Sequence, residues 1–96
     1  MIIEGFIWFS DIIDKIEAKH GVTLLEAENI FTGKPIFNKI KRGHVRREDV
    51  YRALGQTESG RYLAVFFIYK KTHEALVISA RDMTDSERKQ YARRKR

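Results

Sequence analysis

Eight consecutive residues, "YLAVFFIY" from Tyr62 to Tyr69, constrain the fold of this chain more than any other stretch. Alternate side chains of a strand point to opposite faces, and here both sets are apolar. At an open edge such a strand would template aggregation, so the run predicts a central strand with neighbours on both sides. A sheet must then be built from the rest of the chain.

The other elements follow from pattern and punctuation. A first strand is expected around Ile2 to Trp8. Ser10 or Asp11 can cap a helix in which Ile12, Ile13 and Ile16 share a face, and Gly21 is placed to end it. Thr23 with Glu26 forms a capping box for a second helix with Leu24, Ala27, Ile30 and Phe31 on one side, stopped by Gly33 and Pro35. Strands are expected near Ile36 to Lys41, Val50 to Gln56, Tyr62 to Tyr69 and Ala75 to Ala80. Thr84 with Glu87 is a second capping box, opening a helix from about Asp85. The order predicts one α+β domain over residues 1–96, with a mostly antiparallel sheet, two N-terminal helices and one C-terminal helix. One sheet face is left partly open, since the last helix offers little apolar surface beyond Tyr91 and Ala92.

Composition narrows the class. With 43% apolar and 33% charged residues the chain carries enough hydrophobic content to fold. There is no cysteine, and His20, His44 and His73 lack metal-ligand spacing, so no metal site or cofactor is expected. The apolar start "MIIEGFIWF" has no basic n-region and is too short to span a bilayer, which leaves a cytoplasmic protein with no membrane partner as the expectation. The net charge of +6 is uneven: residues 1–33 hold two bases against six acids, residues 34–96 hold 17 bases against seven. A basic half of this kind suits a polyanionic partner, although a solvated, solubilising surface has the same composition.

Several side chains are candidates for chemistry. Lys39, Lys41, Arg42, Arg46 and Arg47 surround an expected hairpin turn at Gly43, where they would form a clamp on a phosphate backbone or a charged, unpaired edge. His44 adds a proton-transfer group there. Arg52 lies in the second of the last four strands, Arg61 opens the third and Arg81 closes the fourth, and folding could gather their guanidiniums around one phosphoryl group. Glu48, Glu87, His20 and Tyr91 are candidates for proton transfer, and Tyr62 and Tyr69 for stacking on bases. His20 lies on the expected apolar face of its helix, where a packed, hydrogen-bonded histidine is the competing reading. A helix-turn-helix reading of "KHGVTLLEA" fails on charge, because the second helix carries Glu26 and Glu28 and no base.

The segments "KHGVTLLEAENIF", "EDVYRALGQTESGRYLAVFF" and "VISARDMTDSERKQY", in this order and spacing, resemble the BrnT toxin family over nearly the whole chain. The resemblance implies a RelE-like fold and the toxin half of a type II toxin–antitoxin pair, a ribonuclease that arrests translation until an antitoxin binds it. It also implies a BrnA-like DNA-binding antitoxin as partner, in a hetero-oligomer, and RNA as target. His20, Arg61, Ser79, Arg81, Glu87, Arg88 and Tyr91 stand where the family pattern places such residues. Arg61, Arg81, Glu87, His20 and Tyr91 are thereby the expected catalytic set. Lys41, Arg42, Arg46, Arg47, Arg52 and Arg88 are the expected RNA contacts. Two positions depart from the pattern: Val50 and Leu76 stand where many relatives carry arginine. A catalytically weak RNA- or protein-binding domain of the same fold is the alternative that these departures raise.

Overall fold

The computed structural model describes residues 1–41 and 48–94. Its elements run β1 (Gly5–Ile7), α1 (Ser10–His20), α2 (Leu24–Asn29), a 3₁₀ turn (Ile30–Thr32), β2 (Ile36–Lys41), β3 (Val50–Gln56), β4 (Tyr62–Tyr69), β5 (Glu74–Asp82) and α3 (Asp85–Arg94). The five strands form one mixed sheet in the order β1-β5-β4-β3-β2. Three pairs are antiparallel and β1 alone runs parallel to its neighbour β5. The Tyr62–Tyr69 run is central, as its two apolar faces require.

Those faces face different partners. Leu63, Val65 and Phe67 join Ile16, Val22, Ala27 and Ile30 in the larger core beneath α1 and α2. Phe67 is fully buried against the rings of Phe31, Phe37 and Tyr51, a burial that stabilises by about 1.5–3 kcal/mol. Tyr62, Ala64 and Phe66 point the other way and meet Ile36, Leu54, Met83 and Tyr91 in a smaller core under α3. α3 therefore covers part of the face that sequence leaves open.

Local chemistry explains most boundaries. The Thr23–Glu26 capping box forms in full, with the Glu26 N–H donating to Thr23 Oγ1 at 3.1 Å and the Thr23 N–H to Glu26 Oε1 at 3.0 Å. Gly21 ends α1 in the left-handed region at φ 60°, where a side chain would be strained. The start of α1 differs from expectation. Phe9 is the N-cap, with no side-chain cap, because the Ile12 and Ile13 N–H groups both donate to the Phe9 carbonyl. α2 also tightens into its 3₁₀ turn before Gly33 and Pro35.

Two bulges decide which residues meet. On β5, Ser79 pairs with Phe66 but Val77 pairs with Phe67, so one extra residue reverses the alternation of the strand. Arg81 is thereby turned onto the α3 side. On β2, Lys39 pairs with Tyr51 and Lys41 with Val50, so the extra residue Ile40 carries Lys41 to that side as well.

Candidate active site

The Thr84–Glu87 capping box places a carboxylate beneath α3. The Glu87 N–H donates to Thr84 Oγ1 (3.2 Å) and the Thr84 N–H to Glu87 Oε1 (2.8 Å), which fixes the first turn of the helix against the end of β5. Glu87 is only 5% exposed, a position a charge occupies only when paired. Two arginines pair it. Arg81 donates from Nη1 to Oε1 at 2.6 Å and from Nη2 to Oε2 at 3.0 Å, and Arg52 donates from Nη1 to Oε2 at 3.1 Å.

Around this centre the sheet supplies a row of four side chains. Asn38, Arg52, Phe66 and Ser79 are register partners on β2, β3, β4 and β5. Arg52 Nη2 donates to Asn38 Oδ1 (3.1 Å) and to Gln90 Oε1 of α3 (3.0 Å). The Arg81 guanidinium lies 5.1 Å over the Phe66 ring. Arg52 Nε is buried without an acceptor, a donor left over in the cluster. Beside this row lies a second, Val50, Ile68 and Leu76, which is apolar and half-exposed.

The electrostatics follow from the geometry. Burial alone pushes the Glu87 carboxyl up and is the strongest single influence. The Arg81 bonds, the Thr84 N–H and the charges of Arg81 and Arg52 together outweigh it and hold the group below its ordinary range. All four hydrogen bonds to its two oxygens come from donors that favour the charged form. Arg81 is raised by its bonds to Glu87 against the opposing effect of burial.

Nearby, Arg88 lies 4.0 Å over the Tyr62 ring, and Tyr62 meets Tyr91 edge to face at 6.0 Å. With Gln56 and Ala92 these three line a shallow groove of about 380 Å³. Burial, and next the neighbouring Tyr62, push the Tyr91 hydroxyl up, so it stays protonated at neutral pH.

The residues singled out in the sequence do not all converge. Arg52 and Arg81 meet, but Arg61 lies on the opposite side of the sheet. There it donates to Asp82, Glu26 and the carbonyls of His20 and Gly21. The gathering of three guanidiniums is thus corrected to two, because strand alternation sends Arg61 towards α1 and α2 while the bulge sends Arg81 towards α3. His20 is also corrected. It is exposed at the last position of α1 instead of packed on its apolar face. Glu48 is held by Lys70 at 2.7 Å. Arg42, His44, Arg46 and Arg47 of the basic hairpin lie outside the described residues. Asn38, Gln90 and Phe66 carry no local sequence signal for this site, since only the strand register and the α3 docking bring them to Arg52 and Arg81.

The sequence model of a family described as the ribonuclease toxin BrnT of type II toxin–antitoxin systems matches residues 11–87. The chain belongs to the BrnT family. BrnT proteins are thus ribonuclease toxins of type II pairs, and the matched span contains Arg52, Arg81 and Glu87 and stops short of Arg88 and Tyr91. The fold is similar to the crystal structure of the ribonuclease toxin BrnT of Brucella abortus. The TM-score is 0.59 at 20% identity, over 84% of this chain and 97% of that one. No curated protein sequence matches the chain.

Proposed function

We propose that this BrnT-family chain cuts RNA on the α3 side of its sheet without a metal ion, and that a BrnA-like antitoxin silences it by covering that side. The observation that carries the reading is the Arg52–Arg81 pair, two guanidiniums locked on one buried carboxylate, with the Arg81 side chain 31% exposed beside it. An RNA strand supplies its own nucleophile in the 2′-hydroxyl. The protein then needs donors for the crowded phosphate and groups to move protons. Arg81 and Arg52 are those donors, Arg88 and Lys41 hold the flanking backbone, and the protonated Tyr91 serves the leaving oxygen. Glu87 positions the arginines, because its oxygens are saturated and its low affinity for protons makes it a poor base. The 2′-hydroxyl proton passes to solvent water as the 2′-oxygen bonds to phosphorus, the 5′-oxygen leaves with the Tyr91 proton, and water then reprotonates Tyr91.

Among the described residues no three His, Asp or Glu side chains converge as a metal site. The donor set around Glu87 is basic, which suits phosphate better than a cation. RelE-like kinship, one working domain over 1–96 and a cytoplasmic location belong to the same reading. The mixed sheet with β1 parallel to β5 accompanies that reading, and among the described residues no helix is long and apolar enough to cross a membrane. A second reading, a binding domain with weak catalysis, is favoured by one observation: Glu87 already occupies both arginines.

Purified protein incubated with RNA in excess EDTA separates the two. Cleavage that persists, leaves 2′,3′-cyclic phosphate ends and stops on 2′-O-methylated RNA supports the nuclease. RNA binding without cleavage supports the binding domain, and activity restored only by added metal overturns the mechanism. The antitoxin complex should weaken as salt rises.

A further inference from the structure

A second cavity, of about 260 Å³, opens on the opposite side of the sheet from α3, lined by Asp49, Tyr51, Tyr69, Lys70, Lys71 and His73. Its walls are aromatic and their rings are fixed. Tyr51 stacks on Phe67 (5.9 Å, 23° between planes) and meets Tyr69 edge to face at 6.5 Å. Tyr69 donates its hydroxyl to the Ile2 carbonyl at 2.6 Å. His73 lies parallel to Tyr69, 5.7 Å away and 5° from coplanar in orientation, and its Nδ1 is 3.1 Å from Glu4. The backbone that presents His73 is unusual. It is the only described residue other than glycine with positive φ, at 68°, in the turn between β4 and β5.

Cations surround these rings. Lys39 lies 5.8 Å over Tyr51 and is held by Asp49 at 3.1 Å, Lys70 is held by Glu48, and Lys71 is exposed on the turn. Half-exposed rings with lysines at their rim are what single-stranded nucleic acid requires, a stacking surface for a base beside charge for its phosphate. The cavity is slightly smaller than the ~300 Å³ at which clefts for extended small molecules begin, which suits one planar ring system.

We propose that this cavity is a second RNA subsite, which takes one unpaired nucleobase and holds its phosphate on Lys71 and the rim lysines. The proposal rests on the ribonuclease reading for its choice of ligand. Its position fits that reading: Tyr51 of this cavity and Arg52 of the α3 cluster are adjacent on β3, and their β2 partners, Lys39 and Asn38, lie on the edge strand. A strand of RNA that rounds the β2 edge meets both sites. The subsite would therefore raise affinity for long RNA and leave the chemistry alone.

The test is a ¹H–¹⁵N NMR titration with adenosine 5′-monophosphate. Shifts are expected at Tyr51, Tyr69, Lys70, Lys71 and His73. The variant His73→Gly removes the ring at a position where glycine is at ease, so it should keep its melting temperature while AMP binding falls about tenfold. With a single-stranded RNA of ten nucleotides, His73→Gly and Lys71→Ala should raise KM without changing kcat, and cleavage of a dinucleotide should stay the same. Absence of AMP shifts in the cavity, shifts confined to α3, or equal shifts with inorganic phosphate alone would each overturn the proposal. AMP shifts in a protein that cuts no RNA would leave the subsite standing and remove the nuclease reading instead.

Discussion

Arg81 grips Glu87 with a two-pronged contact, Nη1 to Oε1 at 2.6 Å and Nη2 to Oε2 at 3.0 Å. Because burial opposes the charge of Glu87 while Arg81, Thr84 and Arg52 favour it, and the balance lies below the ordinary 4.5, protonation must unfasten the cluster. A carboxyl with a lowered folded pKa contributes stability that is fully present above its unfolded value and lost as pH falls through the folded one. Glu87→Gln should therefore destabilise by about 2–3 kcal/mol at pH 7, since two guanidiniums lose their counter-charge. In urea titrations from pH 6 to pH 3 the difference between parent and variant should shrink. A difference that does not vary with pH would show that the Glu87 charge is not what holds the arginines. Glu26 and Asp82, also lowered by their bonds, titrate in the same window in both proteins and cancel in the comparison.

Arg81→Ala should reduce RNA cleavage by about two orders of magnitude, the usual loss when one transition-state donor is removed. Arg81→Lys keeps the charge but not the planar fork that meets Glu87 and leaves an edge for phosphate, so it should recover less than a tenth of the activity. Full activity in Arg81→Lys would mean that charge alone suffices. Single-turnover rates on a fixed RNA read this directly.

Arg61 ties β4 to the end of α1, the start of α2 and Asp82. Its side chain is 27% exposed, so the clasp is partly screened, and Arg61→Ala should cost about 1–2 kcal/mol in unfolding free energy. Because it faces away from α3, kcat should remain within about twofold. A large fall in kcat with unchanged stability would place Arg61 at the reacting phosphate after all.

The sheet face on which each arginine sits was the part of the site that sequence hid. Both capping boxes were legible, since a cap involves residues three apart, and the double-sided apolar run at Tyr62–Tyr69 announced the central strand. Simple alternation from Ala75 would have put Arg81 on the α1 side. The bulge at Val77–Ser79 that reverses it comes from pairing with Phe66 and Phe67, which no local pattern in β5 records. His20 was misplaced for a related reason. At the last position of α1, just before the left-handed Gly21, the helix face expected to be buried has already run past the core. The parallel edge strand β1 was also shorter than its apolar sequence suggested, spanning only Gly5–Ile7, and Trp8 just beyond it donates to Glu28 at 2.8 Å.

Gly55 approaches the 3₁₀ turn so closely that a Cβ there would lie 2.8 Å from Ile30 Cβ and 3.2 Å from the Ile30 carbonyl oxygen. Both residues are buried, and backbone cannot yield as a flexible side chain can. Gly55→Ala should lower stability by about 1–3 kcal/mol, visible as a drop in melting temperature. An unchanged melting temperature would show that the turn can move away from β3.

The apolar row Val50–Ile68–Leu76 lies one step along the sheet from Arg52–Phe66–Ser79, on the same face. Two residues of strand separate Val50 from Arg52, roughly 7 Å, so an arginine at position 50 could reach a phosphate held by Arg52. All three residues of the row are half-exposed, and a long cationic side chain can lay its stem on Ile68 with its head in water. Val50→Arg combined with Leu76→Arg should therefore fold with little loss of stability. If the row borders the reacting phosphate, kcat/KM on RNA should rise by about tenfold or more. The salt dependence of binding should steepen by about 0.7 in log K per log salt for each new phosphate contact. A steeper salt slope with unchanged kcat would make the row a path for the RNA backbone outside the site of cleavage. A fall in both would mean that the apolar surface itself is what the bound partner uses.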